Sequence, residues 1–230
     1  MKTIGLIGGI SWNSTVDYYR IINLEVNKRL GGKHSAKILL YSLNFADIEN
    51  LMLKSDYVQL RAEILKVAKK LENGGADLLL LCANTAHKFA DDIKKEIKIP
   101  LIHIADSTGN NIQKSGIKKV GLLGTKFTME EDFILARIKE RYNVDILIPS
   151  SEERQVVNEI IYEELVIGNF LNSSKVKFLN IIENLKLNGA KGIILGCTEL
   201  PLIIKPQDCT LPLFNTTEIH ALAAVDCALS

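Results

Sequence analysis

The stretch Gly192-Ile193-Ile194-Leu195-Gly196-Cys197-Thr198-Glu199-Leu200-Pro201 predicts a buried strand that ends at a glycine and is followed by polar side chains. In open parallel sheets, ligands bind at the carboxyl ends of the strands. A thiol held there beside a hydroxyl and a carboxylate can serve as an acid, a base or a nucleophile. Cys197 is therefore a candidate reactive group, with Thr198 and Glu199 as its neighbours.

The same pattern occurs earlier, at Ala76-Asp77-Leu78-Leu79-Leu80-Leu81-Cys82-Ala83-Asn84-Thr85. Aligning the two stretches on their Gly-Ala pairs places Cys82 opposite Gly196, and Ala83 opposite Cys197. In the same alignment Asn84 falls opposite Thr198, and Thr85 opposite Glu199. Because strand side chains alternate between faces, we expect Cys82 to point away from the site that Cys197 serves.

The two halves of the chain repeat this order of elements, which indicates an internal duplication. Residues 120–125 match residues 4–9 in character, and Pro212–Asn215 matches Pro100–His103. Alternating strands and helices predict two similar doubly wound parallel-sheet α/β lobes, related by a pseudo-twofold axis with the active site in the cleft between them. The helix over 218–229 has no counterpart, so the predicted lobes are 1–103 plus 216–230, and 104–215.

Five local predictions concern the elements around the candidate site. Ser14 or Thr15 is expected to cap the helix that runs through Tyr18 to Arg29. A helix is expected from about His87 to Ile97, and a short strand over Pro100–His103. His87 is expected to cap a helix or lie at the surface, and His103 to be a core residue.

The strand-to-helix loops at residues 8–11 and 124–128 carry glycine and hydroxyl residues, so their backbone N–H groups could hold a carboxylate or phosphate. Ordinary tight turns explain them equally well. Neither loop has the three-glycine dinucleotide fingerprint or a Walker lysine, which disfavours a nucleotide-dependent oxidoreductase.

The composition is that expected of a cytoplasmic α/β protein. Hydrophobic residues make up 47% of the 230 residues, charged residues 24%, and the formal net charge is +1. This balance gives no reason to expect binding to nucleic acid or to a membrane surface. The four cysteines lack metal-site or disulfide spacing, which favours free thiols in a reducing compartment. Cys209 and Cys227 are expected to be small buried side chains.

Three motifs together resemble the aspartate/glutamate racemase family, whose members work without pyridoxal phosphate. They are Gly8-Gly9-Ile10-Ser11-Trp12-Asn13-Ser14-Thr15, Cys82-Ala83-Asn84-Thr85-Ala86-His87 and Gly196-Cys197-Thr198-Glu199. The resemblance covers the whole chain. It implies two α/β lobes, commonly a homodimer, and cofactor-free proton exchange at the α-carbon of an amino acid.

The resemblance also implies roles for particular residues. Family members use two cysteines, one for each face of the α-carbon, and their thiol pKa values can be lowered by helix N-termini and nearby donors. Cys197 fits the second position, but the first carries Ala83, which has no ionisable group. Three alternatives stay open for this position. The Cys82 thiol reaches the site, a water molecule acts as the acid or base, or proton exchange is efficient from one face only. Glu199 is assigned to orienting or polarising Cys197, and the expected substrate-binding residues are Ser11, Asn84, Thr85, Thr125, Thr128 and Thr198.

Two rival functions stay open on the sequence. One is a superfamily enzyme in which a single thiol protonates an enediolate after decarboxylation, and the other is an amino-acid-binding protein without catalysis. Some family members carry an arginine and a lysine where this chain has Asn44-Phe45-Ala46 and Leu165-Val166-Ile167. The substrate's side chain is therefore left undetermined.

Overall fold

The computed structural model describes all residues from 1 to 230. The chain divides into two compact units, which we call lobe 1 (1–104 and 220–230) and lobe 2 (105–219). The lobe boundaries expected from the sequence, 1–103 plus 216–230 and 104–215, stay a prediction.

Lobe 1 is built on three parallel strands in the order β2-β1-β3. Its elements are β1 (Ile4–Gly8), α1 (Trp12–Leu30), β2 (Ile38–Ser42), α2 (Phe45–Leu53), α3 (Tyr57–Asn73), β3 (Leu78–Leu81), a 3₁₀ turn (Thr85–Phe89) and α4 (Ala90–Glu96). Gly8 is in register with Ser42, and Ile7 with Leu81, so the strands end at one edge of the sheet.

Both faces of this sheet are covered by helices. Leu78, Leu80 and Cys82 pack into a hydrophobic cluster with residues of α1 and of the C-terminal helix α11 (Thr216–Leu229). The alternate positions Leu79, Leu81 and Ala83 pack into a second cluster with residues of α2, α3 and α4. The alternation of strand side chains therefore continues past the end of β3, through positions 82 and 83.

Lobe 2 contains four parallel strands in the order β5-β4-β6-β7. Its elements are α5 (Ile104–Lys114), β4 (Lys119–Leu123), α6 (Lys126–Glu130), α7 (Asp132–Tyr142), β5 (Asp145–Leu147), α8 (Ser151–Ile160), a π-helical turn (Ile161–Leu165), α9 (Asn172–Leu187), β6 (Ile193–Leu195), α10 (Leu200–Ile203), a 3₁₀ turn (Pro206–Asp208) and β7 (Leu213–Asn215). α5 starts on the last residue of lobe 1, and α11 passes from lobe 2 into lobe 1 between Ile219 and His220.

Two local predictions were wrong in detail. The strand over Pro100–His103 is reduced to one bridge between Leu79 and Leu101, because the chain leaves the sheet to begin α5 at Ile104. The single helix from His87 to Ile97 is instead a 3₁₀ turn over Thr85–Phe89, followed by α4. Phe89 has a φ of −99° and a ψ of 6°, so it interrupts the helical backbone between the two.

The predicted fold class is confirmed as α/β, with parallel sheets in two lobes. The pseudo-twofold axis and the cleft stay predictions. No helix in the chain combines the length and the apolar character needed to cross a bilayer.

Candidate active site

The loop after β1 has an unusual backbone. Gly9 has a φ of +81°, and a Cβ at this position would collide with the backbone of Leu43. Ser11 has a φ of 65°, which is uncommon for a residue with a side chain. Its hydroxyl is buried and has no hydrogen-bond partner. Such strained, unsatisfied groups tend to occur at functional sites.

The cap prediction for α1 was wrong, because the N-cap residue is Ser11 and no side chain caps the helix. Ser14 and Thr15 lie inside α1 and hold the loop instead. The single proton of the Ser14 hydroxyl is shared between the Ser11 carbonyl at 2.8 Å and the Cys82 carbonyl at 3.0 Å. The Thr15 hydroxyl accepts from the Gly9 N–H at 2.9 Å and donates to the Ser11 carbonyl at 3.1 Å.

The segment after β3 carries the first predicted catalytic position. Cys82 is 1% exposed and lies in the hydrophobic cluster with Tyr18, where burial raises the pKa of its thiol. Ala83 is buried in the opposite cluster, and Asn84 is buried next to the 3₁₀ turn that begins at Thr85. Since Ser14 bonds to the carbonyl of residue 82, the Ser11 loop and this segment are adjacent. We call Ser11, Ala83, Asn84 and Thr85 the Ala83 set.

Cys197 lies just beyond β6. Gly196 donates its N–H to the Leu123 carbonyl of β4 at 2.6 Å, and a Cβ on Gly196 would lie 3.0 Å from that oxygen. A side chain at position 196 would therefore be tightly crowded against the backbone of β4. The close approach places Cys197 beside the carboxyl end of β4 in the same sheet.

Cys197, Thr198 and Glu199 form a buried hydrogen-bonded group. The Cys197 thiol donates to Glu199 Oε2 at 3.0 Å, and the Thr198 hydroxyl donates to the same oxygen at 2.6 Å. The other oxygen, Oε1, is buried without a partner. Burial and the negative charge of Glu199 hold the pKa of the Cys197 thiol well above its usual range.

Thr125 and Thr128 lie next to this group in lobe 2. Thr125 is the N-cap of α6, and its hydroxyl accepts from the Thr128 N–H at 3.3 Å. The two hydroxyl oxygens are 3.1 Å apart. A Cβ on Gly196 would lie 3.4 Å from the Thr128 side chain, so Thr128 packs directly against the residue before Cys197. We call Thr125, Thr128, Cys197, Thr198 and Glu199 the Cys197 set.

Sequence reasoning missed the polar residues at the end of β7. Thr216 donates its hydroxyl to the Leu195 carbonyl of β6 at 2.9 Å, and Asn215 accepts from the Thr217 N–H at 3.1 Å. The Thr217 hydroxyl is buried without a partner. The sequence did contain a sign of these residues, because the polar residues Thr216, Thr217 and Glu218 follow a strand that was itself predicted.

No group of three or more His, Cys, Asp or Glu side chains is arranged to hold a metal ion.

The α/β fold with parallel sheets in two lobes is also that of solved aspartate and glutamate racemase structures. The family model for Asp/Glu/Hydantoin racemase matches residues 7–224, and the chain belongs to this family.

Some similar proteins are described as racemases of aspartate or glutamate, and one as a racemase of broad specificity. A crystal structure of a candidate Asp/Glu racemase from Yersinia pestis is similar over 100% of both chains, with 46% identity and a TM-score of 0.94. An aspartate racemase homologue from Pyrococcus horikoshii OT3 is similar over 100% of both chains, with 36% identity and a TM-score of 0.86. The broad specificity amino-acid racemase RacX of Bacillus subtilis (strain 168) is 25% identical over 175 residues, or 76% of this chain and 75% of that protein.

Proposed function

We propose that this chain is a cofactor-independent amino-acid racemase of the aspartate/glutamate type, with Cys197 as the group that exchanges the α-proton. The observation that carries the proposal is the buried hydrogen bond from the Cys197 thiol to Glu199 at the carboxyl end of β6. Membership of the racemase family supports it.

The proposed proton transfer uses Glu199 as the partner of the thiol. The thiol proton passes to Glu199 Oε2, and the thiolate sulfur then takes the α-proton of the amino acid. The electron pair of the broken C–H bond moves into the carboxylate to give an enediolate. Hydrogen bonds to the enediolate oxygens lower its free energy, because they strengthen as negative charge develops there.

The substrate's ammonium group explains how a thiol with a raised pKa can ionise. Glu199 Oε1 is a buried acceptor without a partner, and its charge is one cause of the raised pKa of Cys197. An ammonium group bound at this oxygen would satisfy the acceptor and offset the charge. Binding of an amino acid would therefore lower the pKa of the Cys197 thiol.

The remaining polar residues are proposed to bind the substrate's carboxylate and ammonium groups. They are Ser11, Asn84, Thr85, Thr125, Thr128 and Thr198. The start of α1 adds backbone N–H groups, since no side chain caps this helix and its first turn carries no acidic residue. Helix N-termini of this kind favour carboxylates.

The opposite face of the α-carbon is assigned to position 83, where alanine has no proton to give. We propose that Cys82 does not replace it, because its side chain is enclosed in the core cluster with Tyr18. A water molecule would then deliver the proton, and the hydroxide left behind would be neutralised by the proton that Glu199 received. Racemisation by this route is expected to be slower than exchange on the Cys197 face.

A second candidate function follows from the raised pKa of Cys197, since a thiol that stays protonated is suited to donating a proton. In a decarboxylase, the C–C bond of a malonate-type substrate breaks, CO₂ leaves, and the thiol protonates the enediolate. Water then returns a proton to sulfur, and the hydroxide combines with the released CO₂ as bicarbonate. Product analysis with a disubstituted malonate separates this function from racemisation.

The substrate's side chain is to be determined with a panel of amino acids. The segments after β2 and after the π-helical turn carry no cation at residues 44–46 and 165–167. Chiral chromatography of aspartate, glutamate, and neutral and basic amino acids after incubation with enzyme tests the proposal. Formation of the D-isomer that is lost in Cys197→Ala supports it. Tight binding of an amino acid without isomer formation favours a non-catalytic binding protein.

We further propose that the protein is a cytoplasmic homodimer. Trp12, Val16 and Tyr19 follow helical spacing along α1, and all three side chains are exposed. Exposed apolar patches are typical of interfaces between protein chains. Light scattering on the wild type and on Trp12→Ser tests this assembly, because loss of the patch should shift the mass to that of a monomer.

A further inference from the structure

Three buried histidines lie beneath the Ala83 set in lobe 1. The ring centroids of His87 and His103 are 4.7 Å apart, and those of His87 and His220 are 5.3 Å apart. Tyr18 packs edge-on against His220 with a centroid separation of 5.6 Å. All four side chains are almost fully buried. The proposed reaction uses none of them.

The hydrogen bonds of His87 and His220 define their protonation. His87 Nδ1 lies 2.9 Å from the Ala83 carbonyl, which can only accept, so Nδ1 carries the proton. Its Nε2 accepts from the Ile104 N–H at 3.2 Å, so the ring is neutral. His220 is the opposite tautomer, because Nε2 donates to the Ile102 carbonyl at 2.9 Å and Nδ1 accepts from the Tyr18 hydroxyl at 2.7 Å.

These contacts determine where the backbone goes after β3. The Cys82 N–H makes the last hydrogen bond to β1, with the Ile7 carbonyl at 2.9 Å. The next two backbone carbonyls leave the sheet and accept hydrogen bonds from side chains. The Cys82 carbonyl accepts from the Ser14 hydroxyl at 3.0 Å, and the Ala83 carbonyl accepts from His87 Nδ1 at 2.9 Å. Buried carbonyls without partners are costly, so these two bonds select one path for the chain.

We propose that His87 is a positioning residue, whose Nδ1–H bond to the Ala83 carbonyl holds residues 83–85 in the orientation that binds the substrate. Ser14 has the same role at the preceding carbonyl. The inference rests on the proposed function for its kinetic consequences, but the hydrogen bond can be tested without any reaction. The rings of His103 and His220 pack against His87, and its Nε2 accepts from the Ile104 N–H. The ring therefore acts as a neutral donor.

Two conservative variants separate the two bonds of His87. In His87→Asn the amide nitrogen replaces Nδ1 as donor to Ala83, whereas in His87→Gln the longer side chain reaches the position of Nε2 and its oxygen accepts from Ile104. We expect His87→Asn to keep kcat/KM within about 3-fold of wild type, and His87→Gln to lose about 10-fold or more through kcat. Both should lose similar thermal stability, because each keeps one buried bond. The exposed His34→Asn and His34→Gln pair is the control and should match wild type in every measurement.

NMR provides the test that is independent of turnover. Long-range ¹H–¹⁵N correlation spectra at pH 7 should show His87 as the Nδ1–H tautomer and His220 as the Nε2–H tautomer. The amide signals of Asn84 and Thr85 should shift more in His87→Gln than in His87→Asn. An Nε2–H or charged His87, or equal activity losses in both variants that follow their stability, would overturn the inference. If the wild type exchanges no α-proton, the proposed function fails while the tautomer and amide shifts still decide the role of His87.

Discussion

The Cys197 thiol donates a hydrogen bond to Glu199 Oε2 across 3.0 Å, and the same carboxylate raises the pKa of that thiol. Glu199 therefore has two opposing effects on Cys197. It accepts the proton that must leave, and its charge disfavours the thiolate that results. The two effects can be separated by removing the charge while keeping the shape of the side chain.

Glu199→Gln should make the Cys197 thiol more reactive and the enzyme less active. Removing the charge lowers the pKa of Cys197 relative to wild type, although burial still raises it. Iodoacetamide should therefore alkylate Cys197 faster at pH 9, while α-proton exchange falls about 100-fold because the proton acceptor is lost. Cys197→Ala is the control for labelling at other thiols. Slower alkylation of Cys197 together with slower α-proton exchange would contradict the claim that Glu199 both accepts the thiol proton and raises the thiol pKa.

Cys82→Ala should cost stability but little activity. The sulfur is buried in the cluster with Tyr18, so its removal leaves a small cavity and should lower the free energy of unfolding by about 1–2 kcal/mol. Urea denaturation measures this loss, and the exchange rate should stay within about 3-fold of wild type. Loss of exchange at unchanged stability would instead assign Cys82 to the reaction.

Gly9→Ala should destabilise the protein much more than Gly31→Ala. Both glycines have positive φ values, +81° and +73°, so alanine is strained at either position. At Gly9 the added Cβ also collides with the Leu43 backbone, whereas at Gly31 nothing lies within 4 Å. We expect Gly31→Ala to cost about 1 kcal/mol and Gly9→Ala at least about 2 kcal/mol more. Equal losses would show that the Ser11 loop relaxes freely.

Stability should fall as the pH drops below 6.5, because the buried histidines resist protonation. Burial lowers the pKa of His220 from 6.5 to about 4, and burial together with His103 and His220 lowers the pKa of His87. The unfolded chain binds these protons first, so this stability is present above pH 6.5 and is lost on acidification. His220 alone should account for about 2 kcal/mol between pH 6.5 and 5. Urea midpoints of the wild type and His220→Asn measure the effect, and an equal pH slope in both would contradict it.

The sequence was sufficient to predict the positions of the main strands, and that Ala83 and Cys197 follow the carboxyl ends of two of them. Gly192–Cys197 and Ala76–Ala83 are local patterns, and each strand they predict depends on residues that are adjacent in the chain. The alternation of Leu80, Leu81, Cys82 and Ala83 in the structure follows the simple period of a strand.

The parts that could not be predicted depend on contacts between distant residues. Ser14 was expected to cap a helix, but its hydroxyl reaches the carbonyl of Cys82, which only the parallel pairing of β1 and β3 brings near. No local sequence pattern points to His220, which reaches Tyr18 and Ile102 because α11 packs on lobe 1. The pKa of Cys197 depends on the rotamer of Glu199, which no local pattern specifies.

The most direct test of the central claim is NMR of the α-proton of amino acids in D₂O with enzyme, run alongside chiral analysis. We predict that deuterium enters in the wild type and not in Cys197→Ala, and that wild-type exchange is faster than formation of the opposite isomer. Ala83→Cys and Ala83→Thr, which supply a proton donor at the substituted position, should bring the two rates closer together. Exchange that persists in Cys197→Ala, or no exchange with any amino acid of the panel even in the Ala83 variants, would contradict the assignment of Cys197 as the acid/base of a racemase.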